Sequence, residues 1–184
     1  LSTIVGRDFF PKIAAGVLRL HVVAPPGTRL EETEALFGEV ENTIRELIPP
    51  TELEGVLDFM GPSSGYNLAI TDSVNVSTAD GEILIQLSKD RTRRVTDYEA
   101  MLREQLRARF PQARFFFQPA DIVTQILNFG LPSAIDIQVS GAKRDATYAA
   151  ARSIEKQLRA VPGAVDVRLH QIVDAPRLQV DVDR

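Results

Sequence analysis

The stretch that decides the fold is residues 82–118, EILIQLSKDRTRRVTDYEAMLREQLRARFPQARFFFQ. Its first seven residues alternate apolar and polar side chains, as a strand with one buried face does. Residues 114–118 have the aromatic composition of a second strand. Between them lies an apolar stripe with the spacing of one helix face. The stripe consists of Tyr98, Leu102, Leu106 and Phe110. The stretch therefore predicts a strand–helix–strand unit.

The same unit comes round three times along the chain. The first copy has a strand over 16–23, a helix that ends at Pro49 and a strand over 53–60. Its helical stripe consists of Leu36, Val40, Ile44, Leu47 and Ile48. Two such units, with both helices on one face of an antiparallel sheet, form a two-layer ferredoxin-like split βαβ sandwich. Residues 16–118 are sufficient to complete one.

The third copy is incomplete. A strand is predicted over 134–140, followed by a helix with the stripe Ala150, Ile154, Leu158 and Val161. Two more strands are predicted around Val167 and Val180. One helix on three strands leaves a sheet face and an edge uncovered, which isolated proteins usually avoid. We therefore expect an α+β chain with one complete and one partial ferredoxin-like copy, forming part of a longer protein.

Local signals indicate where the helices begin. Capping boxes are predicted at Thr28 with Glu31 and at Thr96 with Glu99, and Asp145 is predicted to cap the third helix. The polar segment 61–81 has no periodicity. A structureless segment of this length inside a compact domain is usually functional, so we interpret it as a functional loop.

Composition excludes several classes of function. The chain has 184 residues, a net charge of -4 and no cysteine, which argues against nucleic acid as a partner and removes thiolate and Cys-type zinc chemistry. The two histidines, His21 and His170, are predicted to face outward from strands. Neither has a catalytic neighbour at a known motif spacing, and no metal-ligand pattern or phosphate-binding glycine motif is present. We therefore expect no enzyme activity, no metal site and no cofactor.

The aromatic cluster 115–117 needs a partner surface. Phe115 and Phe117 share one face of the predicted strand and Phe116 takes the other, so one set lies outside the sandwich core unless something covers it. Exposed rings on such a sheet can stack on RNA bases, but the acidic composition disfavours that interpretation. The alternative is an apolar wall for a hydrophobic ligand or a neighbouring subdomain.

Short motifs in order along the whole chain resemble the resistance-nodulation-division efflux transporters of the acriflavine-resistance type. The matching segments are 6–11 (GRDFFP), 25–28 (PPGT), 117–123 (FQPADIV), 128–130 (NFG), 161–168 (VPGAVDVR) and 180–184 (VDVDR). They match the start of the second periplasmic half of these transporters. The resemblance implies a porter-domain fragment.

The resemblance also implies a domain organisation and partners. Residues 1–15 would be a linker after a transmembrane helix, 16–130 the first porter subdomain, and 131–184 part of the second. The parent would be a proton-driven bacterial inner-membrane exporter of lipophilic small molecules. It would form a homotrimer and work with a periplasmic adaptor and an outer-membrane channel. The present chain would belong to its periplasmic portion.

Site residues follow from the resemblance by matching position. Phe115 and Phe117 would be aromatic walls of the entry cleft, and Arg168 would be its arginine. The loop 61–81, with Tyr66, would be the switch loop. Near the deeper pocket, the resemblance places Leu57, Phe59 and Leu84. The departures are that this loop has no phenylalanine and that Leu57 and Leu84 stand at aromatic positions, so the substrate class stays open.

Metal export and two other functions are alternatives to the export of lipophilic molecules. Metal exporters of the superfamily use methionines, and only Met60 and Met101 are present here, which disfavours metal as the substrate. A stand-alone tandem of ferredoxin-like modules, binding a regulator or oligomerising by its open edge, is the main alternative. An acylphosphatase-like hydrolase would need a phosphate-cradling loop, and none is visible.

Overall fold

The computed structural model describes residues 16–62, 75, 77–120, 133, 135–171 and 181–182. The strands are β1 (Val17–Val23), β2 (Leu53–Met60), β3 (Asp80–Leu87) and β4 (Arg114–Gln118). The helices are α1 (Leu30–Leu47), α2 (Val95–Arg109) and α3 (Arg144–Arg159). The predicted linker 1–15 lies outside the described residues.

The strands form one antiparallel sheet in the order β2-β3-β1-β4. The first strand lies in the interior because each strand–helix–strand crossover carries the chain past a neighbouring strand position. Both α1 and α2 pack on the same side of this sheet. This order, with two helices on one face, is the ferredoxin-like sandwich, and the predicted fold class is confirmed for the first copy.

The core lies between the sheet and the two helices. Alternate residues of β1 and β3 point into it, as the period-two pattern predicts. The fully buried strand residues include Leu18, Leu20, Val22, Ile83, Ile85 and Leu87. From α1, Phe37 is as deeply buried as Val40 and Ile44, although the predicted stripe omitted it. Phe37 therefore belongs to the same core cluster as the residues of the predicted stripe.

The three helices begin differently from the prediction. The Thr28 hydroxyl donates to the Pro25 carbonyl oxygen at 2.7 Å, so α1 starts at Leu30, with the Glu32 carboxylate accepting from the Arg29 amide. For α2 the equivalent acceptor is Asp97, which bonds the Arg94 amide. The predicted capping boxes at Thr28 with Glu31 and Thr96 with Glu99 are therefore wrong, because the preceding turns set different starting residues.

The third helix also starts two residues earlier than predicted. Lys143 precedes α3, and its carbonyl accepts the Thr147 amide, so Asp145 lies inside the first turn and is not the cap. An acidic side chain in that turn still interacts favourably with the partial positive charge of the helix N-terminus.

One glycine is required by the close approach of two strands. A Cβ atom on Gly81 would lie 2.4 Å from the carbonyl oxygen of Phe59 and 2.8 Å from the ring of Phe37. Neither neighbour can move freely, because one is backbone and the other is a buried ring. Gly81 therefore allows β2, β3 and α1 to meet at the end of the long polar segment.

The sheet face opposite the helices is also buried at its centre. Arg19 and His21 alternate with core residues on β1 and were predicted to face outward, yet they are only 9% and 2% exposed. Their strand is in the sheet interior, and their side chains pack with charged groups of β3. The expectation of an outward-facing His21 is therefore wrong, whereas His170 is exposed.

The described residues of the third copy form its helix but no strand ladder. Residues 135–140 and 164–170 pair with no other described residue, and a strand requires a hydrogen-bonded neighbour. Ile135 is 78% exposed and Val165 is 60% exposed. The residues predicted as strands at 134–140 and around Val167 therefore form no ladder within the described part of the chain. Most of the last predicted strand lies outside the described residues, so the pairing of these strands stays a prediction. In the described part of the chain, no helix has both the length and the apolar character needed to cross a membrane.

Candidate functional site: a cavity beside the open sheet face

A cavity of about 450 Å³ lies between β4 with its neighbours and residues 164–170. The sheet contributes the rings of His21 and Phe116 together with the aliphatic side chain of Val23. The facing segment contributes Val165 and Arg168, among others. The wall therefore combines apolar and aromatic side chains with several charged groups. Such a lining can contact both the apolar and the polar parts of a small molecule.

The Phe116 ring is the centre of this wall. Strand alternation directs it to the face opposite the helices, where its centroid lies 4.5 Å from that of His21 with the two rings nearly parallel. The Arg168 guanidinium carbon lies 3.6 Å from the same centroid. A cation this close to a ring face is attracted by the quadrupole of the ring, so Phe116 fixes Arg168 at the cavity.

Arg168 is half-buried and incompletely paired. Burial lowers the pKa of its guanidinium from the ordinary value, and the charge of Asp166 offsets part of that effect. One Nη donates to the Asp166 carbonyl oxygen at 3.4 Å, but the buried Nε has no partner among the described residues. An unpaired buried donor is costly, so an acceptor that reaches this guanidinium would gain affinity.

Asp166 attaches the 164–170 segment to the first copy. Its carboxylate accepts two hydrogen bonds from Arg103, at 2.9 and 3.0 Å, and one from Arg107 at 2.8 Å. It also accepts the backbone amide of Phe117 on β4, an edge strand of the sheet. Its φ of 56° is left-handed, a conformation that Asp tolerates better than most residues. Its side chain is only 8% exposed, as these hydrogen bonds require.

A buried ionic cluster adjoins the cavity on the same sheet face. The Arg19 guanidinium donates two hydrogen bonds to Glu82, at 2.9 and 3.0 Å. His21 lies 3.5 Å from the Asp80 carboxylate, 3.7 Å from that of Glu82, and 3.2 Å from the side-chain amide of Gln118. Burial alone would raise the pKa of Glu82, but the interactions with His21 and Arg19 outweigh it and hold that pKa below its ordinary value.

Of the predicted cleft residues, Phe115 and Arg168 line the cavity. Phe115 is nevertheless 4% exposed and belongs to the core, where its ring packs against Phe110. Phe117 pairs with Leu20 and points to the helix side, where its ring lies under the Arg103 guanidinium. Phe117 is therefore not among the residues that line the cavity, and substrate contact by any of these residues stays a prediction.

The predicted deep-pocket residues lie together elsewhere on the open face. Leu57 of β2 pairs with Leu84 of β3, and Phe59 is two residues along the same strand. Leu57 is 56% exposed and the other two are half-buried. The ionic cluster separates this apolar group from the cavity. Tyr66 lies outside the described residues.

Phe116, His21 and Asp166 are the residues that sequence reasoning did not assign to the site. For Phe116 the signal was available, since alternation predicted that it faces away from Phe115 and Phe117. His21 shares that face by the same alternation. No local pattern could identify Asp166, because its partners are distant in the sequence. Within the described residues, no three His, Cys, Asp or Glu side chains are arranged to hold a metal ion.

The described residues combine a ferredoxin-like sandwich with a cavity of about 450 Å³ at one side of its sheet. The family model described as AcrB/AcrD/AcrF matches residues 1–184. The chain therefore belongs to this family of resistance-nodulation-division efflux pumps, and the resemblance seen in the sequence is confirmed.

Relatives with known names match almost the whole chain but extend well beyond it. Protein HelA of Legionella pneumophila is 27% identical over 183 residues, which are 98% of this chain and 17% of the relative. The putative cation efflux system protein SilA of Salmonella typhimurium is 28% identical over the same shares of each chain. The cobalt-zinc-cadmium resistance protein CzcA of Cupriavidus metallidurans is 23% identical, again over 98% and 17%. The chain thus spans less than a fifth of the length of these relatives.

A solved structure agrees with the fold. One crystal form of a heavy metal efflux pump superposes on 100% of this chain and 19% of its own, with a TM-score of 0.78 and 26% identity. A second form covers 88% of this chain and 16% of its own, with a TM-score of 0.68 and 23% identity. The porter-type fold is therefore common to this chain and that pump.

Proposed function

We propose that this chain is the periplasmic substrate-entry portion of a proton-driven efflux pump and that it catalyses no reaction. The cavity between the sheet and residues 164–170 carries the proposal, because its size and wall suit a small organic molecule. Membership of the efflux family supports it. A trimeric parent, a periplasmic adaptor and an outer-membrane channel are part of the same proposal.

For the substrate we propose lipophilic small molecules. The supporting observation is the aliphatic and aromatic lining, in which Val23, Phe116 and Val165 surround a guanidinium. Lipophilic compounds gain affinity by burying apolar area against such rings, at about 25 cal/mol for each Å² removed from water. Multidrug export would follow if the wall accepts several compounds of this kind.

Metal cations are the second candidate. The observation in their favour is that the relatives include cation efflux and cobalt-zinc-cadmium resistance proteins. Against them, the described residues offer no group of metal-ligating side chains. The two candidates predict different resistance profiles, so one experiment separates them.

The test uses the complete transporter, expressed in a bacterial strain that lacks its own efflux pumps. We expect export of lipophilic dyes and drugs, measured as growth at inhibitory concentrations, and no protection against zinc, cobalt or cadmium salts. Phe116→Ala and Arg168→Ala should change which compounds are tolerated without reducing assembly of the protein. Arg152→Ala is the matched control, because Arg152 also lies over a ring, that of Tyr148, but is not among the cavity residues.

The variant Phe117→Ala tests which of the two phenylalanines contacts the substrate. The resemblance places Phe117 at the substrate, whereas its ring here faces the helices. We therefore expect a smaller change of substrate profile than with Phe116→Ala. Unchanged tolerance of every compound in both Phe116→Ala and Arg168→Ala would contradict the cleft assignment, and protection against metal salts alone would favour the cation candidate.

A further inference from the structure

We propose that the cavity selects organic anions, meaning molecules with an apolar or aromatic body and one carboxylate or sulfonate group. This inference rests on the proposed function, since it names the substrate class of the same cavity. Four arginines line the cavity, Arg107, Arg114, Arg159 and Arg168, against the two aspartates Asp80 and Asp166. The lining therefore carries more cationic than anionic side chains, although the chain as a whole is acidic. Arg107 is paired with Asp166 and Arg159 with Glu155, so the proposal depends mainly on Arg168.

Both cavity carboxylates are already engaged by the protein. Asp166 accepts hydrogen bonds from Arg103, Arg107 and the Phe117 amide. Asp80 accepts the amide and the hydroxyl of Ser77 through one oxygen, and its other oxygen faces His21. These negative charges therefore hold the architecture together and are poorly placed to receive a cationic ligand.

Arg168 is in the opposite situation. Its buried Nε has no partner among the described residues, and its guanidinium carbon lies 3.6 Å from the centroid of the Phe116 ring. A guanidinium presents paired N–H donors in a plane, which match the two oxygens of a carboxylate or sulfonate. An anion at this point would complete the hydrogen bonding of Arg168 and would encounter little competing negative charge.

The neighbouring wall suits the rest of such a molecule. Phe116 and the aliphatic side chains of Val165 and Val167 lie beside the guanidinium. An aromatic body placed here would bury apolar area on the same side as its charged group meets Arg168. By contrast, a free divalent cation would be repelled by the excess of arginines. The charged groups of this cavity therefore favour an anion, whereas the names of several relatives refer to metal cations.

Two fluorescent probes that differ in one charged group test the proposal on the full chain. Anilinonaphthalene sulfonate carries the anion, and phenylnaphthylamine has the same ring system without it. We expect the sulfonate to bind about tenfold or more tightly, the gain typical of a hydrogen-bonded charged group. Fluorescence titration gives both dissociation constants, and thermal unfolding shows that each variant used is folded.

The variants assign this preference to one side chain. Arg168→Gln should reduce the affinity for the sulfonate to that for the uncharged probe, and Arg168→Lys should retain part of the difference because the charge remains. Arg152→Gln removes an arginine from a ring outside the cavity and should change neither constant. Phe116→Ala should weaken both probes, since both use the ring, and should weaken the sulfonate more because Phe116 also holds Arg168 in place.

The outcomes separate this inference from the proposed function. Equal affinities for the two probes, with Phe116→Ala weakening both, would overturn the anion preference and leave a lipophilic pocket. If neither probe binds, or if Phe116→Ala changes neither constant, the proposed cavity function fails as well. Displacement of the sulfonate by zinc chloride would overturn the anion proposal in favour of the cation candidate. If Arg168→Gln does not fold, the wild-type comparison and Arg168→Lys still decide.

Discussion

The first copy and the third both contain amphipathic helices, but the helices differ in how much of their surface is buried. In α1, Phe37, Val40 and Ile44 are fully buried, and in α2 the same is true of Tyr98 and Leu102. Of residues 144–159, which form α3 and are all described, none is buried. The helical stripe was predicted with the same rule in all three cases.

The difference shows that an apolar stripe determines which face of a helix can be buried, but not whether it is. Burial needs an opposing surface, and for α1 and α2 this is the four-stranded sheet. Alongside α3, the described residues 135–140 form no ladder. Helix formation depends mainly on local sequence, whereas core formation depends on partners that are distant along the chain.

The largest expected effect comes from truncating matched isoleucines in the two regions. Ile44→Ala in α1 should lower the free energy of unfolding by about 2–5 kcal/mol, because it leaves a cavity in a closed core. Ile154→Ala in α3 should cost less than about 1 kcal/mol, because Ile154 is only half-buried and its surroundings can collapse. Urea denaturation followed by circular dichroism measures both.

An equal loss in the free energy of unfolding for Ile44→Ala and Ile154→Ala would contradict the difference in burial between α1 and α3. They would mean that α3 is packed as tightly as α1 in solution, so that residues 135–171 belong to the same cooperative core. A clear loss in Ile44→Ala only would confirm that the cooperative unit is the first sandwich.

The next largest effect concerns the buried ionic cluster of the first copy. Glu82→Gln should cost about 3 kcal/mol at neutral pH, because it leaves Arg19 buried without its partner charge. The pKa of Glu82 is held below its ordinary value. Its contribution to stability is therefore complete above the unfolded pKa, about 4.3, and is lost as the pH falls through the folded pKa.

Stability measured against pH checks this sign. The difference in the free energy of unfolding between wild type and Glu82→Gln should become smaller in acid. It should stay constant at pH values above the ordinary pKa of glutamate. The control is Glu155→Gln in α3, which removes a carboxylate paired with the exposed Arg159 and should change stability by less than about 0.5 kcal/mol. A gap that widens in acid would refute the assignment.

The smallest effect is expected at the junction of the two regions. Asp166→Asn keeps a residue that tolerates the left-handed backbone but removes the charge that faces Arg103. A double-mutant cycle with Arg103→Gln should give a coupling energy of about 1–2 kcal/mol. Hydrogen exchange at the Phe117 amide, which donates to Asp166, should become faster in the variant.

An exposed ion pair that also involves an arginine of α2 is the control for that double-mutant cycle. Arg109 of α2 pairs with Glu46 of α1 at 2.6 Å, with both side chains largely exposed. Its coupling should be well below 1 kcal/mol, as is usual at a protein surface. Similar coupling in the two cycles would show that Asp166 does not fasten the segment more firmly than a surface ion pair does.

Much of the first sandwich could be predicted from the sequence. Period-two alternation identified β1 and β3, and the stripe from Tyr98 to Phe110 identified α2, because both periodicities are local consequences of backbone geometry. The helix starts were misplaced because the turns before them use other donors and acceptors, such as the Thr28 hydroxyl on Pro25. Burial of His21 was missed because no local pattern shows that the second face of a sheet is also covered.

The candidate site was predictable only in part. Motif resemblance pointed to Arg168, and alternation separated Phe116 from its two neighbours. The choice between those two faces depended on the register of β4 against β1, in which Phe116 pairs with His21. Asp166 and its arginines are 59 and 63 positions apart in sequence, so their contact could not be read from spacing.

By itself, the sequence determined the order of strands and helices, the ferredoxin-like class and membership of an efflux family. These follow from short-range periodicity and from motifs that are present in the chain itself. The tertiary structure alone decided that Phe116 faces the cavity, that Asp166 holds its wall, and that Arg168 keeps an unpaired donor beside it. The physical reason is that register, burial and ion pairing are set by residues that meet only after the chain has folded.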